Sequence, residues 1–537
     1  MRKIKIIKQG REARRLLKEG IDLVADVIKT TLGPKGRNVI VERLGPLPPR
    51  SMNDGYYIAD HIEHKDPVIN AGVAMLKEVC KKTNDVAGDG TTSTAILAQV
   101  LIDRELREVE KGKNPIDIKL ALERDLEKLL QELSRLSQPV ADSNDIRRVA
   151  TIAGNNDESI GDALAEIYEK VGKNASILVE KSNESAIRVE AIKGIYFNKG
   201  FGDARVFVNN SARMTAEHRD IKILIVDEKV EYADDIVPFL EKLNPDRGTR
   251  LLVIANEMPI SLDAMNILGH NNALALRGER DKEGNDLGFF CVGVEAPEFG
   301  PTRAEILEDL AVATGGICVS KQNGLTLKDA DPKKVLGRAE KVIVTSNTTT
   351  IIGGNANQAR LERQIEMIKG EMAQLHVNAK ITREKYEGRL QVISAGVGII
   401  HAGGATEMEN KERHLRLEDA VLAARAAGEE GISAGGGFTY WRLAKLAKTA
   451  LREACLAIPE QVAENAGKNS TVILQEMENT NLGYNALTDK FEDLKETGVL
   501  DSTKVIRVAL QNAVSLTGLF LTTSAAVIEA EESEAQV

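Results

Sequence analysis

Aromatic residues and cysteines are scarce in this sequence. Aromatic side chains make up 4% of the 537 residues, so alanine, valine, isoleucine and leucine must supply most of the core. The cysteines, at positions 80, 291, 318 and 455, form no C-x-x-C pair, which argues against a metal or redox motif and fits a reducing compartment. The N-terminal segment has no apolar stretch typical of a secretory signal peptide. We therefore expect a cytoplasmic protein.

Positive charge and long apolar runs are lacking as well. The formal net charge of −10 argues against nucleic acid or an anionic membrane as the main partner, because both attract a basic surface. No apolar run reaches about 18 residues, so we expect no membrane-spanning segment. Hydrophobic residues at 42% and charged residues at 28% are typical of a soluble globular protein, and 537 residues suffice for several domains.

Apolar periodicity differs between the ends and the middle of the chain. Residues 13–28 carry apolar side chains at helical spacing, and Asp66-Pro67 is typical of a helix N-terminus. In the middle, apolar strands at 221–227 and 250–256 flank a helical stretch at 234–243, which is typical of a parallel sheet. The simplest arrangement joins the helical ends in one domain, with an α/β middle inserted.

Residues 361–375 carry apolar side chains in a 4-3-4-3 repeat. This repeat is typical of a coiled-coil-like hairpin arm. An ordinary amphipathic helix that packs on its own domain shows the same pattern. The sequence leaves both interpretations open.

The segment GDGTT at 88–92 is the first candidate for chemistry. Its glycines allow a ligand to approach the backbone closely. The hydroxyl residues Thr91, Thr92 and Ser93 stand at the start of a predicted helix, where free N–H groups attract anions. Asp89 would repel a phosphate unless Mg²⁺ lies between them. The alternative is a turn capped by Asp89 without any ligand.

Other segments carry signals that are weak individually. The glycine-rich corners TTLGPKGRN and SAGGG adjoin predicted helices. Asp54 and Asp419 are carboxylates suited to orienting a water molecule for phosphoryl transfer. Asp501 and Asn485 suit a ribose hydroxyl and a base edge. For Asp54 and Asp419 the alternative is a solvated surface carboxylate, whereas Asp501 and Asn485 could equally be caps.

Together and in this order, these segments resemble the GroEL-type, or group I, chaperonins. The resemblance runs nearly from end to end of the chain. The matching strings are TTLGPKGRNV, NDVAGDGTTSTAILAQ, VGKNASILVE, EAPEFG, LEDLAVATGG, GGATEMENKERHLRLEDAVLAARAAGEEGISAGGG and GVLDSTKVIRVALQNA.

The resemblance implies a multidomain fold of α+β and α/β parts. A mainly helical equatorial domain would bind ATP, a hinged intermediate domain would adjoin it, and an α/β apical domain would be inserted mid-chain. The implied segments are 1–136 and 432–537 for the equatorial, 137–193 and 397–431 for the intermediate, and 194–396 for the apical domain. The implied hinges are Pro139 with Gly431 and Gly194 with Gly396, since glycine at the end of an element absorbs large backbone rotations.

The resemblance also implies an ATP and Mg²⁺ site. Asp89 would bind Mg²⁺, Asp54 would polarise the attacking water, and Asp419 would arrive when the intermediate domain swings down. The other implied nucleotide contacts are Thr31, Leu32, Gly33, Pro34, Asn53, Gly90, Thr91, Thr92, Ser93, Gly436, Asn485, Ala486 and Asp501. The family usually has lysine at position 53, whose backbone helps to define a K⁺ site, so K⁺ is a further implied cofactor that Asn53 puts in doubt.

An apolar face of the apical domain would capture non-native polypeptides and bind a GroES-type lid. Its implied residues are Phe201, Val206, Phe207, Val237, Leu240, Ile267 and Leu268. Arg205 and Asp263 stand where the family has apolar side chains, so the face is more polar than usual. Exposed apolar patches are typical of binding surfaces, whereas inward packing is the alternative for each residue.

Two further segments depart from the family. Residues 277–290 form an extra, charged and glycine-containing stretch, for which we predict a projecting hairpin that alters lid engagement or partly substitutes for the lid. The C-terminus, EAEESEAQV, is short and acidic where the family often has a Gly-Met repeat. Charges at 459–468 also differ from the usual contact between rings, which leaves a single ring or a double ring open.

The resemblance predicts an ATP-dependent molecular chaperone with ATPase activity that works as a homo-oligomeric, heptameric ring. The first alternative is a divergent paralogue that binds partners as a scaffold with little folding activity. The second is an unrelated metabolic ATPase or kinase, which would have a small-substrate pocket and no capture face. The altered apical face favours the scaffold, and the retained aspartates at 54, 89 and 419 favour the chaperone.

Overall fold

The protein forms two compact units. The computed structural model describes residues 3–42, 49–172, 176–182, 184–202, 205–211, 213–230, 232–246, 248–257, 263–280, 287–297, 300–373, 380–394, 396–404 and 406–531. Unit 1 comprises Met1–Glu166, Lys181–Ile187 and Ala402–Val537, and unit 2 comprises Ile167–Glu180 and Arg188–His401. Both chain ends thus belong to one unit and the middle to the other. The finer division into equatorial, intermediate and apical segments stays a prediction.

The secondary structure follows the chain in three stretches. The first contains β1 Lys3–Gln9, α1 Gly10–Ile28, β2 Val39–Val41, β3 Arg50–Met52, α2 Gly55–Asp60, α3 Pro67–Ala87, α4 Thr91–Glu110, α5 Pro115–Leu136, α6 Ser143–Ala153 and α7 Glu158–Val171. The second contains β4 Ser176–Lys181, β5 Arg188–Phe197, β6 Ala216–Lys229, α8 Ala233–Leu243, β7 Arg250–Glu257, α9 Asp263–Arg277, β8 Phe290–Glu295, α10 Gly300–Thr314, α11 Pro332–Val335, β9 Gly337–Val344, β10 Thr349–Gly354, α12 Gln358–Ala373, α13 Lys380–Ser394 and β11 Gly396–Ala402. The third contains α14 Glu407–Glu430, β12 Ile432–Ala434, α15 Phe438–Ala444, α16 Leu451–Asn465, α17 Ser470–Thr480, β13 Gly483–Asn485, β14 Lys490–Glu492, β15 Leu500–Ser502, α18 Thr503–Thr522 and β16 Ala525–Glu531.

Unit 1 is built from long helices around one apolar core. α1 packs on α3, and α18 packs on α3, α4 and α5. α3 begins where the Asp66 carboxylate accepts hydrogen bonds from the N–H groups of Val68 and Ile69, with Pro67 in the first turn, as the sequence predicts. β1 pairs antiparallel with β16, so the two chain ends lie side by side.

α18 is long and apolar enough to cross a membrane by length and composition alone. However, 72% of its most apolar window is buried inside the protein. An all-round apolar helix with this burial is typical of the core of a large globular domain. In the described part of the chain it is the one helix that meets this criterion.

Unit 2 contains an eight-stranded mixed sheet with the order β4-β11-β5-β10-β9-β6-β7-β8. β6, β7 and β8 are parallel, and α8 connects β6 to β7, which confirms the predicted βαβ unit. The pairs β6–β9, β9–β10, β10–β5 and β5–β11 are antiparallel. The parallel strands carry nearly continuous buried aliphatic side chains, because helices cover such strands on both faces.

The 4-3-4-3 repeat lies in α12, which together with α13 packs on α10 of the same unit. Ile368 of α12 is fully buried in the core of unit 2. Arg389 of α13 is also buried and donates to both carboxylate oxygens of Asp309 in α10, at 2.7 and 3.0 Å. α12 and α13 also pair with each other as a helical hairpin, and their packing on α10 favours the interpretation as amphipathic helices packed on their own domain.

Parts of two predicted features lie outside the described residues. The ends of the 277–290 segment approach each other, since the Leu287 N–H donates to the Glu279 carbonyl at 2.8 Å. Residues 281–286 between them are outside the description, so the projecting hairpin stays a prediction. The last residues of the acidic tail, 532–537, and the side chain of Asp263 also lie outside it.

Candidate functional site

A polar cavity of about 820 Å³ lies in unit 1 where several helix ends meet. The end of α1, the starts of α2 and α4, and residues of α6, α14 and α15 line it. All but one of the predicted catalytic and nucleotide-binding residues border this cavity. They are Thr31, Leu32, Gly33, Pro34, Asn53, Asp54, Asp89, Gly90, Thr91, Thr92, Ser93, Asp419, Gly436, Asn485 and Asp501. The exception, Ala486, is buried in a small apolar cluster with Trp441 and Val462.

The 88–92 segment forms the corner at which α3 ends and α4 begins. Gly88 and Gly90 have φ angles of 72° and 85°, a left-handed conformation that residues with a Cβ atom disfavour. As the N-cap residue, Gly90 has no side chain to cap the first N–H groups of α4. The Thr94 hydroxyl donates to the Gly90 carbonyl at 2.9 Å and lies 3.2 Å from the Thr83 hydroxyl on α3. The corner is thus held firmly beside the cavity.

The corner after α1 is held by a distant residue. α1 ends in a 3₁₀ turn, Lys29–Thr31, and Gly33 follows with a φ of 83°. Asn465, at the end of α16, donates from Nδ2 to the carbonyls of Lys29 and Leu32, at 3.0 and 2.9 Å. Sequence reasoning missed Asn465, because no local motif marks a residue more than 400 positions away as the partner of this turn.

Four aspartates line the cavity: Asp54, Asp89, Asp419 and Asp501. Burial raises the pKa of each carboxyl. The pKa of Asp419 lies well above its usual value because the charges of Asp54 and Asp89 add to this burial. Burial, with the charge of Asp89, raises the pKa of Asp501 to about 7. A nearby cation would therefore stabilise the ionised forms of all four.

Two of these carboxylates are held by backbone N–H groups at helix starts. Asp54 is the N-cap residue of α2 and accepts a hydrogen bond from the Tyr56 N–H at 2.9 Å. Asp89 accepts one from the Gly90 N–H at 2.5 Å. Asp54 therefore caps α2 and borders the cavity, and its action on a water molecule stays a prediction.

Asp419 reaches the cavity from α14. Leu422, one turn further along this helix, lies against Gly88, where an added Cβ atom would be 2.0 Å from the Leu422 Cβ. α14 therefore rests directly on the α3–α4 corner. In this structure Asp419 therefore borders the cavity.

Asp501 and Asn485 lie on short strands at the cavity wall. Asp501 pairs with Ser433 between β15 and β12, beside the SAGGG segment. Asn485 Oδ1 accepts a hydrogen bond from the Leu487 N–H at 3.0 Å, and its Nδ2 donates to the Glu492 carboxylate at 2.6 Å. The Asn485 amide thus stabilises its own turn, which is the capping alternative.

The cavity also has neighbours that sequence reasoning missed. Arg147 and Arg148 of α6, Arg416 of α14 and Tyr440 of α15 all border it. Arg416 lies one turn before Asp419, so helical spacing alone could have identified it. The α6 arginines carry no comparable sequence signal, since only the fold brings α6 to this wall.

The residues present fit Mg²⁺ bound together with phosphates. Among the described residues, no three His, Cys, Asp or Glu side chains converge closely enough to hold a metal ion by themselves. Mg²⁺ often takes only one or two protein carboxylates and completes its shell with phosphate oxygens and water. Asp89, beside the uncapped start of α4, matches this requirement, and a divalent cation would offset the clustered negative charge.

The predicted capture face of unit 2 is largely turned inward. Four of its members, Phe201, Phe207, Leu240 and Leu268, are at most 7% exposed and belong to the core of unit 2. The expectation that these four form an exposed face is wrong, because burying each such side chain stabilises the fold by about 1.5–3 kcal/mol. Val206 is 52% exposed, and Val237 and Ile267 are partly exposed.

Comparison with known proteins agrees with this architecture. The model of the TCP-1/cpn60 chaperonin family matches residues 24–243 and 246–531. Among solved structures, the chaperonin gp146 from bacteriophage EL 2 (Pseudomonas aeruginosa), in the presence of ATP-BeFx, has a TM-score of 0.69 and 20% identity over 98% of this chain and 100% of that chain. A second crystal form of gp146 has a TM-score of 0.63 and 18% identity over 98% and 99% of the two chains. The resemblance and the fold class predicted from the sequence are confirmed, and the chain belongs to the TCP-1/cpn60 chaperonin family.

Proposed function

We propose that this protein is an ATPase that promotes folding of non-native polypeptides as a homo-oligomeric ring. The observation that carries the proposal is the convergence of Asp54, Asp89 and Asp419 on one cavity at the uncapped start of α4. Membership of the chaperonin family supports the chaperone activity. The related phage chaperonin was crystallised with ATP-BeFx, which supports nucleotide binding by this fold.

The phosphates of ATP would lie at the α3–α4 corner. The first N–H groups of α4 and the hydroxyls of Thr91, Thr92 and Ser93 would donate hydrogen bonds to phosphate oxygens. Asp89 would hold Mg²⁺, which supplies charge neutralisation for phosphoryl transfer when it is bound. The 31–34 corner, Gly436, Asn485 and Asp501 would enclose the base and ribose. A K⁺ ion at the backbone of Asn53 belongs to the same proposal.

Asp54 and Asp419 would act on the attacking water. They lie on different helices, and burial raises the pKa of each carboxyl, as is common for groups that take part in catalysis. Neither carboxylate is needed to hold the phosphates. Both would therefore affect the rate of ATP hydrolysis more than the affinity for ATP.

Hydrolysis would depend on the seating of α14. Asp419 borders the cavity because its helix rests on the α3–α4 corner through Leu422 and Gly88. Any displacement of α14 would withdraw the carboxylate from the site. Hydrolysis would thereby time the cycle of capture, domain rotation and enclosure, since ATP shifts this equilibrium by binding one conformation better.

Polypeptide capture would use the accessible part of unit 2. Val206 lies on a 3₁₀ turn packed on α9, which carries Ile267, and α9 contacts α8, which carries Val237. The three side chains form a smaller and more polar surface than the sequence predicts. The proposal also includes a heptameric ring, either single or double, and a GroES-type lid as partner. It places the protein in the cytoplasm.

The scaffold alternative rests on this reduced surface. A divergent chaperonin with few accessible apolar side chains would bind selected partners and fold few of them. The two functions differ in one measurable respect, because only the folding chaperone couples ATP turnover to the recovery of a denatured enzyme.

The test is ATP-dependent refolding of a denatured model enzyme, with and without a lid protein. Wild type should turn ATP over slowly, and Asp419→Asn should lower turnover by about 10²–10⁴-fold with ATP affinity retained. Asp60→Asn, an exposed aspartate on α2, is the matched control and should match wild type. Binding of the denatured enzyme without its refolding would support the scaffold function. Failure of the wild-type protein to bind nucleotide would contradict the proposed ATPase activity.

A further inference from the structure

Tyr440 places a buried and unpaired hydroxyl at the wall of the cavity. The side chain is 3% exposed, and no group in the described part of the chain meets hydrogen-bond geometry with its hydroxyl. Buried tyrosine hydroxyls usually have a partner, because an unsatisfied one costs about 1–3 kcal/mol. A ligand bound in the cavity could supply the hydrogen-bond partner that this hydroxyl lacks.

The surroundings fix the hydroxyl as a donor. Burial raises the pKa of Tyr440 well above its usual value, and the charges of Asp501 and Asp89 raise it further, while the Ser93 hydroxyl, which lies nearby but outside hydrogen-bond geometry, lowers it. The phenol therefore keeps its proton throughout the physiological range. Such a hydroxyl can donate to an anionic oxygen once a cation such as Mg²⁺ offsets the charge of the neighbouring carboxylates.

The position of the ring is rigid. Tyr440 lies in the first turn of α15, whose N-cap Gly437 has a φ of 81°. A Cβ atom on Gly437 would lie 2.9 Å from the backbone of Pro459, so α15 begins in close contact with α16. Cys455 of α16 is also among the groups that influence the phenol. The hydroxyl is therefore presented to the cavity with little freedom to move elsewhere.

We propose that the Tyr440 hydroxyl donates a hydrogen bond to a phosphate oxygen of the bound nucleotide, beside Ser93. The inference rests on the proposed ATPase function and adds a contact from α15 to those of the α3–α4 corner. Ser93, at the proposed phosphate position, borders the cavity together with Tyr440 and lies beside its hydroxyl, and the charges of Asp501 and, more weakly, Asp89 also reach the phenol. Tyr440 would thus discriminate nucleotides from nucleosides.

The experiment compares wild type with Tyr440→Phe, which removes one oxygen and keeps the ring. Binding of ATP, ADP and adenosine is measured by calorimetry with Mg²⁺ present. Affinity for ATP should fall about 5- to 15-fold, as expected for one hydrogen bond, and affinity for adenosine should not change. Thermal stability of the free protein should stay the same or rise, because an unsatisfied donor is removed.

Tyr484→Phe is the matched control. The Tyr484 hydroxyl is already paired, since it donates to the Asp489 carboxylate at 2.8 Å. This variant should lose stability and keep its affinity for ATP. A stability loss in Tyr440→Phe equal to that of Tyr484→Phe would show a structural role and overturn the inference.

The remaining outcomes separate the inference from the function on which it rests. Wild type that binds no ATP would overturn the proposed ATPase and the inference with it. Wild type that binds ATP, with equal affinity in Tyr440→Phe, would overturn the inference alone. An equal loss of affinity for adenosine and ATP would place the hydroxyl on the nucleoside and overturn the phosphate contact.

Discussion

Gly88 and Leu422 lie so close together that a Cβ atom added to Gly88 would be 2.0 Å from the Cβ atom of Leu422. Leu422 follows Asp419 by three positions on α14, so both side chains lie on the same side of the helix. The missing side chain at position 88 therefore allows the helix that carries Asp419 to rest at the cavity. This contact is open to a direct test.

Gly88→Ala should lower ATP turnover more than ATP affinity. The methyl group collides with Leu422, and the φ of 72° is unfavourable for alanine, so α14 should shift and withdraw Asp419. Together these effects should destabilise the protein by about 2–4 kcal/mol. Steady-state turnover, nucleotide titration and chemical unfolding measure the three quantities.

Gly428→Ala is the control for this variant. Gly428 is also on α14, and no atom lies within 4 Å of its added Cβ. The substitution should leave turnover unchanged and stabilise the helix by about 0.5–1 kcal/mol. Equal effects of both substitutions would show that the Gly88 contact has no special role.

Asp501→Asn should reduce the pH dependence of the stability of the free protein. Burial, with the charge of Asp89, raises the pKa of Asp501 from 3.8 to about 7. Because the folded state then binds the proton more tightly than the unfolded state, this contribution to stability is present below pH 3.8 and is lost as the pH rises to about 7. Urea unfolding across this range should show a smaller decline in the variant, and an unchanged decline would contradict the assignment.

Asn465→Ala should weaken nucleotide binding through the 29–34 turn. Losing both hydrogen bonds of its Nδ2 leaves two carbonyls without this donor, which should cost about 1–3 kcal/mol in stability. ATP affinity should fall in parallel as the turn loosens. Asn479→Ala removes a single long hydrogen bond of 3.4 Å on exposed α17, so it should change neither property.

Val206→Ser should weaken the binding of denatured polypeptides in the absence of nucleotide. Val206 is the most exposed of the predicted capture residues, and its removal reduces the apolar surface without opening the core. Leu276→Ser, at an exposed leucine outside the predicted face, is the control. Equal suppression of aggregation by wild type and Val206→Ser would argue against capture by this face.

The sequence predicts the cavity well where local chemistry is decisive. Both glycine corners and the Asp66 cap need special backbone angles or hydrogen bonds that only a few residue types provide. Short sequence segments therefore predict them. Asn465 and Tyr440 are ordinary helix residues whose roles depend on which distant element packs beside them. No local pattern identifies such partners.

The errors in the prediction have a related cause. An amphipathic segment shows that one side is apolar, yet it does not show whether that side meets the core or the solvent. Phe201, Phe207, Leu240 and Leu268 meet the core. The repeat at 361–375 was ambiguous because periods of 3.5 and 3.6 residues are indistinguishable over so short a stretch.

The pairing of β1 with β16 has a consequence for synthesis of the chain. Helices α1, α3, α4 and α5 are synthesised before unit 2, but their core partner α18 is synthesised after it. Unit 2, lying wholly between these segments, can complete its sheet earlier. Between the synthesis of these helices and that of α18, which follows unit 2 in the chain, their apolar sides stay uncovered, and in that interval the protein presents the kind of surface that chaperones bind.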